Sequence, residues 1–299
     1  MSRIQNILEK AEREGAAMRT SRMVPFDPAV SVPPPPASRR NSIEDLTASV
    51  PAAAVIAPAA AVTGLGVAPI DEGVASHTAI LNPLLIAALA PQSLAAEQYR
   101  SLRTRLAQME GSGGLRTVLI TSPQKGDGKS VTASNLALTV AQELQRRVVI
   151  VEADLRKPSL QHMFGLPPGP GLSEYLTGAV ELKDAMQFVP EHNLTLMTAG
   201  SAPLNPAELL GSTAMRRLLD HLRTRFDRVI LDTPPVLPLA DVAILAPIVD
   251  GSLLVVRAGV TPKPAIENAL RAFDASRLLG VVLNEAGIEQ DYRYEAVSN

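Results

Sequence analysis

Short apolar runs alternate with longer amphipathic stretches from about residue 115 to residue 285. The runs have the length and composition of strands, and the stretches between them have helical spacing. Apolar runs without alternation indicate strands buried on both faces, and their alternation with helices indicates right-handed βαβ units. We therefore predict an α/β fold, a parallel sheet with helices on both faces. The predicted strands are 117–122, 148–152, 194–198, 228–232, 252–257 and 280–284, and the predicted helices between them are 129–144, 206–225, 239–247 and 263–277.

The N-terminal part of the chain has a different pattern. Residues 4–11 carry apolar side chains at helical spacing, so we predict a short amphipathic helix within 1–18, either solvated or docked on a partner. Residues 19–90 are rich in Pro, Ala and Ser and bury too little apolar surface to fold, so they are predicted to be a disordered linker. A helix is predicted at 93–109. The chain thus divides into a helix at 1–18, a linker at 19–90, a domain at 91–288 and a tail at 289–299.

Composition narrows the classes of function. The chain has 299 residues, a formal net charge of −2 and no cysteine, which argues against nucleic-acid binding and excludes thiolate metal sites. The N-terminus lacks the apolar segment of a secretory signal. Residues 46–70 are uncharged, but Pro51, Pro58 and Pro69 would break a spanning helix, so no transmembrane helix is predicted. We expect a cytoplasmic protein.

A glycine-rich turn follows the first predicted strand and opens a helix at Gly128-Lys129-Ser130. Glycines let successive backbone N–H groups face phosphate oxygens, and the helix N-terminus adds the positive end of its dipole. Lys129 is predicted to reach the β and γ phosphates, and the Ser130 hydroxyl to ligate Mg²⁺. Pro123 replaces the first glycine of the usual pattern. The predicted nucleotide-binding residues here are Lys125, Gly126, Asp127, Gly128, Lys129, Ser130 and Val131.

Carboxylates end two further strands. Glu152 and Asp154 follow the apolar run at 148–152, where strand alternation would send both side chains the same way, and Asp232 ends the run at 228–232. Together with Ser130 these acids are the predicted Mg²⁺ ligands, although a lone carboxylate at this edge can also cap a helix. Asp232 is followed by Thr-Pro-Pro and lacks the glutamate that commonly polarises water in hydrolytic motors.

Residues 93–290 resemble the bacterial tyrosine autokinases of exopolysaccharide and capsule export. SPQKGDGKS (122–130) is similar to their Walker A motif, VVIVEADLRKP (148–158) to Walker A′ and VILDTPPVLPLAD (229–241) to Walker B. GSAPLNPAELL (200–210) resembles a loop typical of these kinases. The spacing Glu97-x-x-Arg100-x-x-Arg103 matches the helix motif through which family members form rings. Glu152 stands where the family usually has Asp.

The resemblance implies a P-loop NTPase fold of deviant Walker type and an ATP-dependent protein-tyrosine kinase that regulates exopolysaccharide chain length or export. ATP and Mg²⁺ are the implied cofactors. The resemblance also implies that the protein assembles into a ring. It implies a membrane-embedded polysaccharide co-polymerase as activator and recruitment to the inner face of the membrane. The implied catalytic residues are Lys129, Asp154 and Asp232, and the implied phosphoacceptors are Tyr292 and Tyr294. Asn284 is expected to contact the adenine. Arg156 is expected to contact phosphate, to act in a neighbouring subunit or to form a surface ion pair.

Two other functions remain open from the sequence. A partition or division-site ATPase of the same superfamily would carry a signature lysine five residues before Lys129, where this chain has Gln124. A non-catalytic adaptor that binds ATP only to assemble would not need a tyrosine-rich tail, and this tail has two tyrosines. Detection of phosphotyrosine after incubation with Mg-ATP separates both from a kinase.

Overall fold

A computed structural model describes residues 80–110, 114–143, 146–238, 240–271, 273 and 277–286. The predicted helix at 1–18, the linker up to residue 79 and the tail at 289–299 lie outside these ranges. Everything described belongs to one compact unit that begins near His77.

The described residues form a seven-stranded sheet in the order β3-β4-β2-β5-β1-β6-β7. All neighbouring pairs are parallel except the edge strand β3, which runs antiparallel to β4. The strands are β1 (Thr117–Thr121), β2 (Val148–Glu152), β3 (Gln187–Val189), β4 (Leu194–Met197), β5 (Arg228–Asp232), β6 (Gly251–Arg257) and β7 (Leu278–Asn284).

Helices cover both faces of this sheet, which confirms the predicted fold class. Along β1, Val118 and Ile120 pack into one core with the helices that precede and follow the strand, whereas Leu119 packs into the core on the other face. The helices are α1 (Ile86–Leu89), α2 (Leu94–Gln108), α3 (Lys129–Ala141), α4 (Leu160–Met163), α5 (Leu172–Leu176), α6 (Pro206–Leu210), α7 (Thr213–Arg225), α8 (Asp241–Leu245) and α9 (Lys263–Arg271), with 3₁₀ turns at Pro190–His192 and Ala246–Ile248.

The folded part begins upstream of the predicted boundary at residue 91. Leu85 and Ala87 are buried, and the α1 region is tied to α3 by Asn135, whose Oδ1 accepts from the Ala87 N–H and whose Nδ2 donates to the Leu84 carbonyl. Residues 80–90 are therefore part of the domain and not of the linker. Nine of these eleven residues are apolar, but the run directly follows the Pro- and Ala-rich segment and is too short to show a period of its own.

One predicted helix differs in detail, and three short elements were not predicted. The helix predicted at 206–225 is divided, because α6 ends at Gly211 and the Ser212 hydroxyl then accepts from the Met215 N–H to start α7. The strand β3 and the helices α4 and α5 were not predicted, since three to five residues carry no readable period.

Strand order brings the candidate site together. In the middle of the sheet, β5 lies between β2 and β1. Asp232 of β5 stands opposite Glu152 of β2 on one side and opposite Ile120 of β1 on the other. The carboxyl ends of these three strands therefore share one edge, which is where open parallel sheets bind ligands.

Candidate functional site

The loop between β1 and α3 requires glycine at two positions. Gly126 has φ 92° and Gly128 has φ 95°, both in the left-handed region that side chains disfavour. A Cβ on Gly128 would also overlap the side-chain amide of Asn284. The loop therefore delivers Lys129 at the first position of α3 with backbone N–H groups free of any side-chain cap, as an anion-binding loop needs.

Lys129 lies between two of the predicted acids. Its Nζ is 2.8 Å from Asp154 Oδ2, 3.7 Å from Asp232 Oδ1 and 3.0 Å from the Ser130 hydroxyl. Burial lowers the pKa of the Lys129 amine, but the charges of Asp232 and Asp154 outweigh burial and raise it from its ordinary value. Lys129 is therefore kept protonated at the place where the charge of a bound phosphate would have to be neutralised.

Asp232 is the least satisfied polar group in this cluster. The residue is fully buried, and neither carboxylate oxygen accepts a hydrogen bond. Burial raises the pKa of Asp232, and the Lys129 charge offsets part of that rise. A buried carboxylate whose oxygens accept no hydrogen bond is costly even with the Lys129 ammonium 3.7 Å away, and a hard cation is the partner that such oxygens favour.

These groups fit Mg²⁺ in the mode it usually adopts. Within the described ranges, no three His, Cys, Asp or Glu side chains are grouped so as to hold a metal ion. Magnesium rarely uses such a cage, since one or two carboxylates complete its shell together with substrate phosphates and water. Asp232 and the Ser130 hydroxyl meet that description, whereas the other two predicted acids already have partners: Asp154 pairs with Lys129, and Glu152 accepts from backbone N–H groups.

Glu152 ends β2 as predicted, but backbone N–H groups occupy its carboxylate. Its Oε1 accepts from the N–H groups of Ser159 and Leu160, and its Oε2 accepts from the Ala199 N–H. Burial raises the pKa of Glu152, while the first two of these N–H groups act against burial. The strand ends at Glu152, and the two acids have different partners: loop N–H groups for Glu152 and the Lys129 ammonium for Asp154.

Arg156 also has a partner that was not predicted. Its guanidinium binds Asp241 through two nitrogens, with Nε 2.8 Å from Oδ2 and Nη2 3.3 Å from Oδ1. Asp241 is fully buried at the start of α8, so the arginine neutralises a charge that water cannot reach. The pair joins the loop after β2 to the loop after β5. Asp241 lies in the Walker B-like segment and was given no role from the sequence.

The far side of the loop is closed by Asp127, Thr261 and Asn284. Asp127 accepts from the Gln124 N–H and from the Thr261 hydroxyl, at 2.8 Å each, and Asn284 Nδ2 donates to the Asp127 carbonyl at 3.0 Å. Asn284 therefore packs on the phosphate loop at the end of β7, while Lys125 at its tip is exposed. Thr261 had no sequence signal, because a lone threonine after a strand is common.

The charged residues predicted to mediate assembly make contacts within the chain. Arg100 pairs with Glu97 and donates to the Pro91 carbonyl. Arg103 Nη1 donates to the Thr139 carbonyl at 2.9 Å, and its Nε lies 3.0 Å from Glu143. Arg103 thus holds α2 on α3. The predicted acceptors Tyr292 and Tyr294 lie outside the described residues.

None of the helices in the described part combines the length and apolar composition that crossing a bilayer requires.

Relatives with established names share this domain. No model of a known protein family matches the chain. It is 39% identical over 212 residues to the tyrosine-protein kinase YwqD of Bacillus subtilis (strain 168), covering 70% of this chain and 89% of YwqD. It is 32% identical over 210 residues to the succinoglycan biosynthesis transport protein ExoP of Rhizobium meliloti (strain 1021), covering 69% of this chain but 27% of ExoP.

Among solved structures, the kinase domain of the Escherichia coli tyrosine kinase ETK superposes with a TM-score of 0.67 at 31% sequence identity. The match covers 75% of this chain and 88% of that domain. Sequence and structure thus match over nearly the whole of two chains described as kinases.

Proposed function

The chain belongs to the bacterial tyrosine-protein kinase family, and from this premise we propose that it transfers the γ-phosphoryl group of ATP to tyrosine side chains. We place this activity in the control of exopolysaccharide chain length or export, because one relative is named as a transport protein of succinoglycan biosynthesis. The observation that carries the proposal is the junction of Lys129, Asp154 and Asp232 beside a glycine loop.

The proposed transfer divides the work among these residues. The loop N–H groups and Lys129 bind the β and γ phosphates and balance the charge that moves during transfer. Phosphate competes with Asp154 for the Lys129 ammonium, which leaves that carboxylate free to orient the incoming tyrosine hydroxyl. The tyrosine oxygen then forms the new bond to phosphorus, the bond to the bridging oxygen of ADP breaks, and Asp154 accepts the hydroxyl proton.

We assign Mg²⁺ to Asp232 and the Ser130 hydroxyl, on the ground that the Asp232 oxygens are buried and accept no hydrogen bond, with the Lys129 ammonium 3.7 Å from Oδ1. Bound there, the ion would supply positive charge that neutralises the phosphates. We retain Gly126, Asp127, Gly128 and Asn284 as residues that shape the nucleotide site. Arg156 and Glu152 we assign to the surrounding support, because Asp241 binds two nitrogens of the Arg156 guanidinium and three backbone N–H groups bind the Glu152 carboxylate.

Tyr292 and Tyr294 are the proposed acceptors. The tail of one subunit, which carries them, would enter the nucleotide site of another subunit. We further propose that subunits assemble through Glu97, Arg100 and Arg103. A membrane-embedded polysaccharide co-polymerase would activate the kinase at the cytoplasmic face of the membrane. Support for the tail as acceptor is its position: it follows β7, whose last residue, Asn284, packs on the phosphate loop.

Phosphotyrosine detection after incubation of the purified protein with Mg-ATP tests the proposal. We expect a signal that requires Mg²⁺ and that rises with protein concentration if the tail acts between subunits. ATP binding without any phosphotyrosine would contradict the kinase assignment and support an assembly adaptor. Release of free phosphate without phosphotyrosine would instead support an ATPase of the partition type. Thr233 weakens that alternative, because its hydroxyl donates to the Ile120 carbonyl and occupies the position where hydrolytic motors carry a glutamate.

A further inference from the structure

Glu152 and Asp232 end neighbouring strands, yet their carboxylates are in opposite situations. Both residues are fully buried and stand opposite each other in the parallel register of β2 and β5. Asp232 accepts no hydrogen bond, whereas Glu152 accepts three from backbone N–H groups. An ionised carboxylate offers about four acceptor positions, so Glu152 has little capacity left for a metal or a substrate proton.

The three N–H groups belong to two separate loops. Ser159 and Leu160 stand where the chain returns after the loop 153–158, and Ala199 follows β4. Through one side chain, β2 is therefore joined to the end of its own loop and to the strand beside it. The Leu160 N–H lies 2.6 Å from Oε1 and the Ala199 N–H 3.1 Å from Oε2.

The loop closed in this way carries Asp154. Inside it, Asp154 Oδ1 accepts from the Lys157 N–H at 3.0 Å, which leaves Oδ2 directed at Lys129. The tip is held from the other side by the Arg156–Asp241 pair. With Glu152 at its base, the loop is fixed at both ends, and the direction of the Asp154 carboxylate is set by these attachments.

We propose that Glu152 is a positioning residue, which closes the loop 153–158 so that Asp154 meets Lys129, and that it neither ligates Mg²⁺ nor accepts the tyrosine proton. Its role in transfer rests on the proposed kinase function. The closure of the loop is a separate structural statement, which is tested without turnover.

Two substitutions separate positioning from direct chemistry. Glu152→Gln keeps the length but turns one acceptor into an NH₂ donor that faces a backbone N–H. Glu152→Asp keeps the charge but is one methylene shorter, so it cannot reach both loops. A positioning role predicts that both variants are impaired. A metal-ligand or base role predicts that Glu152→Asp, with the residue usual in the family, retains activity and Glu152→Gln does not.

Three measurements on the 299-residue protein decide between these roles. Amide hydrogen exchange reports loop closure, Mg²⁺ titration of ATP binding reports the metal site, and kcat with the KM for ATP reports turnover. In both Glu152 variants we expect faster exchange at Leu160 and Ala199 and a kcat lowered about 10- to 100-fold, the usual cost of losing a supporting contact. The KM for ATP and the Mg²⁺ half-saturation should stay within about 2-fold of wild type, because the groups that bind them are kept.

Asp232→Asn is the matched control, because it removes one charge from the neighbouring strand end. It should raise the Mg²⁺ half-saturation about 10-fold or more and leave exchange at Leu160 and Ala199 unchanged. The proposal is overturned if Glu152→Gln raises the Mg²⁺ half-saturation as much as Asp232→Asn does, if exchange at those amides is unchanged, or if Glu152→Asp turns over like wild type. Absence of phosphotyrosine in the wild type would count against the kinase function and leave the exchange result standing.

Discussion

At the scale of single residues, the buried carboxylate of Asp232 lowers the stability of the fold and is at the same time suited to bind a cation. Its carboxylate is buried without a hydrogen bond, and burial raises its pKa above the ordinary value. A carboxyl whose pKa is higher in the folded than in the unfolded state binds protons more tightly when folded, so its ionisation destabilises the protein as pH rises. The same oxygens, which accept no hydrogen bond, are those that a cation would use.

We therefore expect Asp232→Asn to increase the free energy of unfolding near pH 7 in the absence of nucleotide. The gain should shrink as pH falls through the raised folded-state pKa and vanish below about pH 3.9, the ordinary value, where both states are protonated. Kinase activity should fall at least about 100-fold, because the metal ligand is lost. Urea unfolding across pH measures the gain, and a variant less stable than wild type at pH 7 would contradict the account.

At the scale of elements, the ion pair between Arg156 and Asp241 joins the loops after β2 and β5. Asp241 is fully buried, so removal of Arg156 leaves a charge that water does not reach. Losing one partner of a buried pair costs about 3–5 kcal/mol, and we expect about 2–3 kcal/mol here because Arg156 is a third exposed.

Arg156→Ala should lower the free energy of unfolding by that amount, measured in urea. Addition of Asp241→Asn should restore much of the loss, since the buried charge is then absent. ATP affinity near wild type in the double variant is expected if Arg156 acts only through Asp241. A double variant that is stable but binds ATP at least about 10-fold more weakly would show instead that Arg156 contacts the nucleotide.

The same scale shows what could be read from the sequence. The β-branched runs at 117–122 and 228–232 predicted β1 and β5, because strands buried on both faces need uninterrupted apolar residues. Parallel strands end at one edge, so the approach of Lys129, Asp154 and Asp232 followed from the strand assignments alone. Short elements such as β3 carry no period and were missed.

Side-chain direction at the ends of elements was not predictable. Glu152 is the last residue of β2, so the next loop and not the strand pleat decides where its carboxylate points. The partners of Arg156 and Asp127 come from elements about 85 and 134 residues further along the chain, and no local pattern carries such information. The contacts of Arg103 with α3 were not predicted either, because Thr139 also lies far along the chain from Arg103.

At the scale of the whole molecule, self-assembly is expected to depend on Arg100 more than on Arg103. Arg100 contacts Glu97 on its own helix and the Pro91 carbonyl, whereas Arg103 holds α2 on α3. Arg100→Ala should therefore shift the protein towards monomer in sedimentation at little cost in stability, since an exposed pair contributes about 0–1 kcal/mol. Arg105→Ala, exposed on the same helix, is the control. A wild type that is monomeric at high concentration with nucleotide would contradict the proposed ring.

Removal of the N-terminal residues should have different effects at two cut sites. A chain starting at residue 80 keeps Leu85, Ala87 and their bonds to Asn135, so its stability and ATP binding should match wild type. A chain starting at residue 91 loses them, at a cost of about 3–5 kcal/mol from lost burial and unpaired polar groups. Thermal unfolding with ATP titration compares the two, and equal stability would contradict the assignment of residues 80–90 to the fold. Under the recruitment proposal, the first cut should also disperse any membrane-associated pool.

The measurement that tests the central claim most directly is phosphopeptide mapping by mass spectrometry of wild type and Lys129→Met after incubation with Mg-ATP. Loss of the charge-assisted phosphate contact should weaken ATP binding about 10- to 150-fold, from about 1.5–3 kcal/mol, and lower transfer further because charge moves in the transition state. The account predicts phosphate on Tyr292 or Tyr294 in wild type, none in Lys129→Met at matched ATP occupancy, and none on the tail of Tyr292→Phe/Tyr294→Phe. Phosphotyrosine of equal yield in Lys129→Met, or ATP-bound wild type that carries no phosphotyrosine at any position, would contradict it.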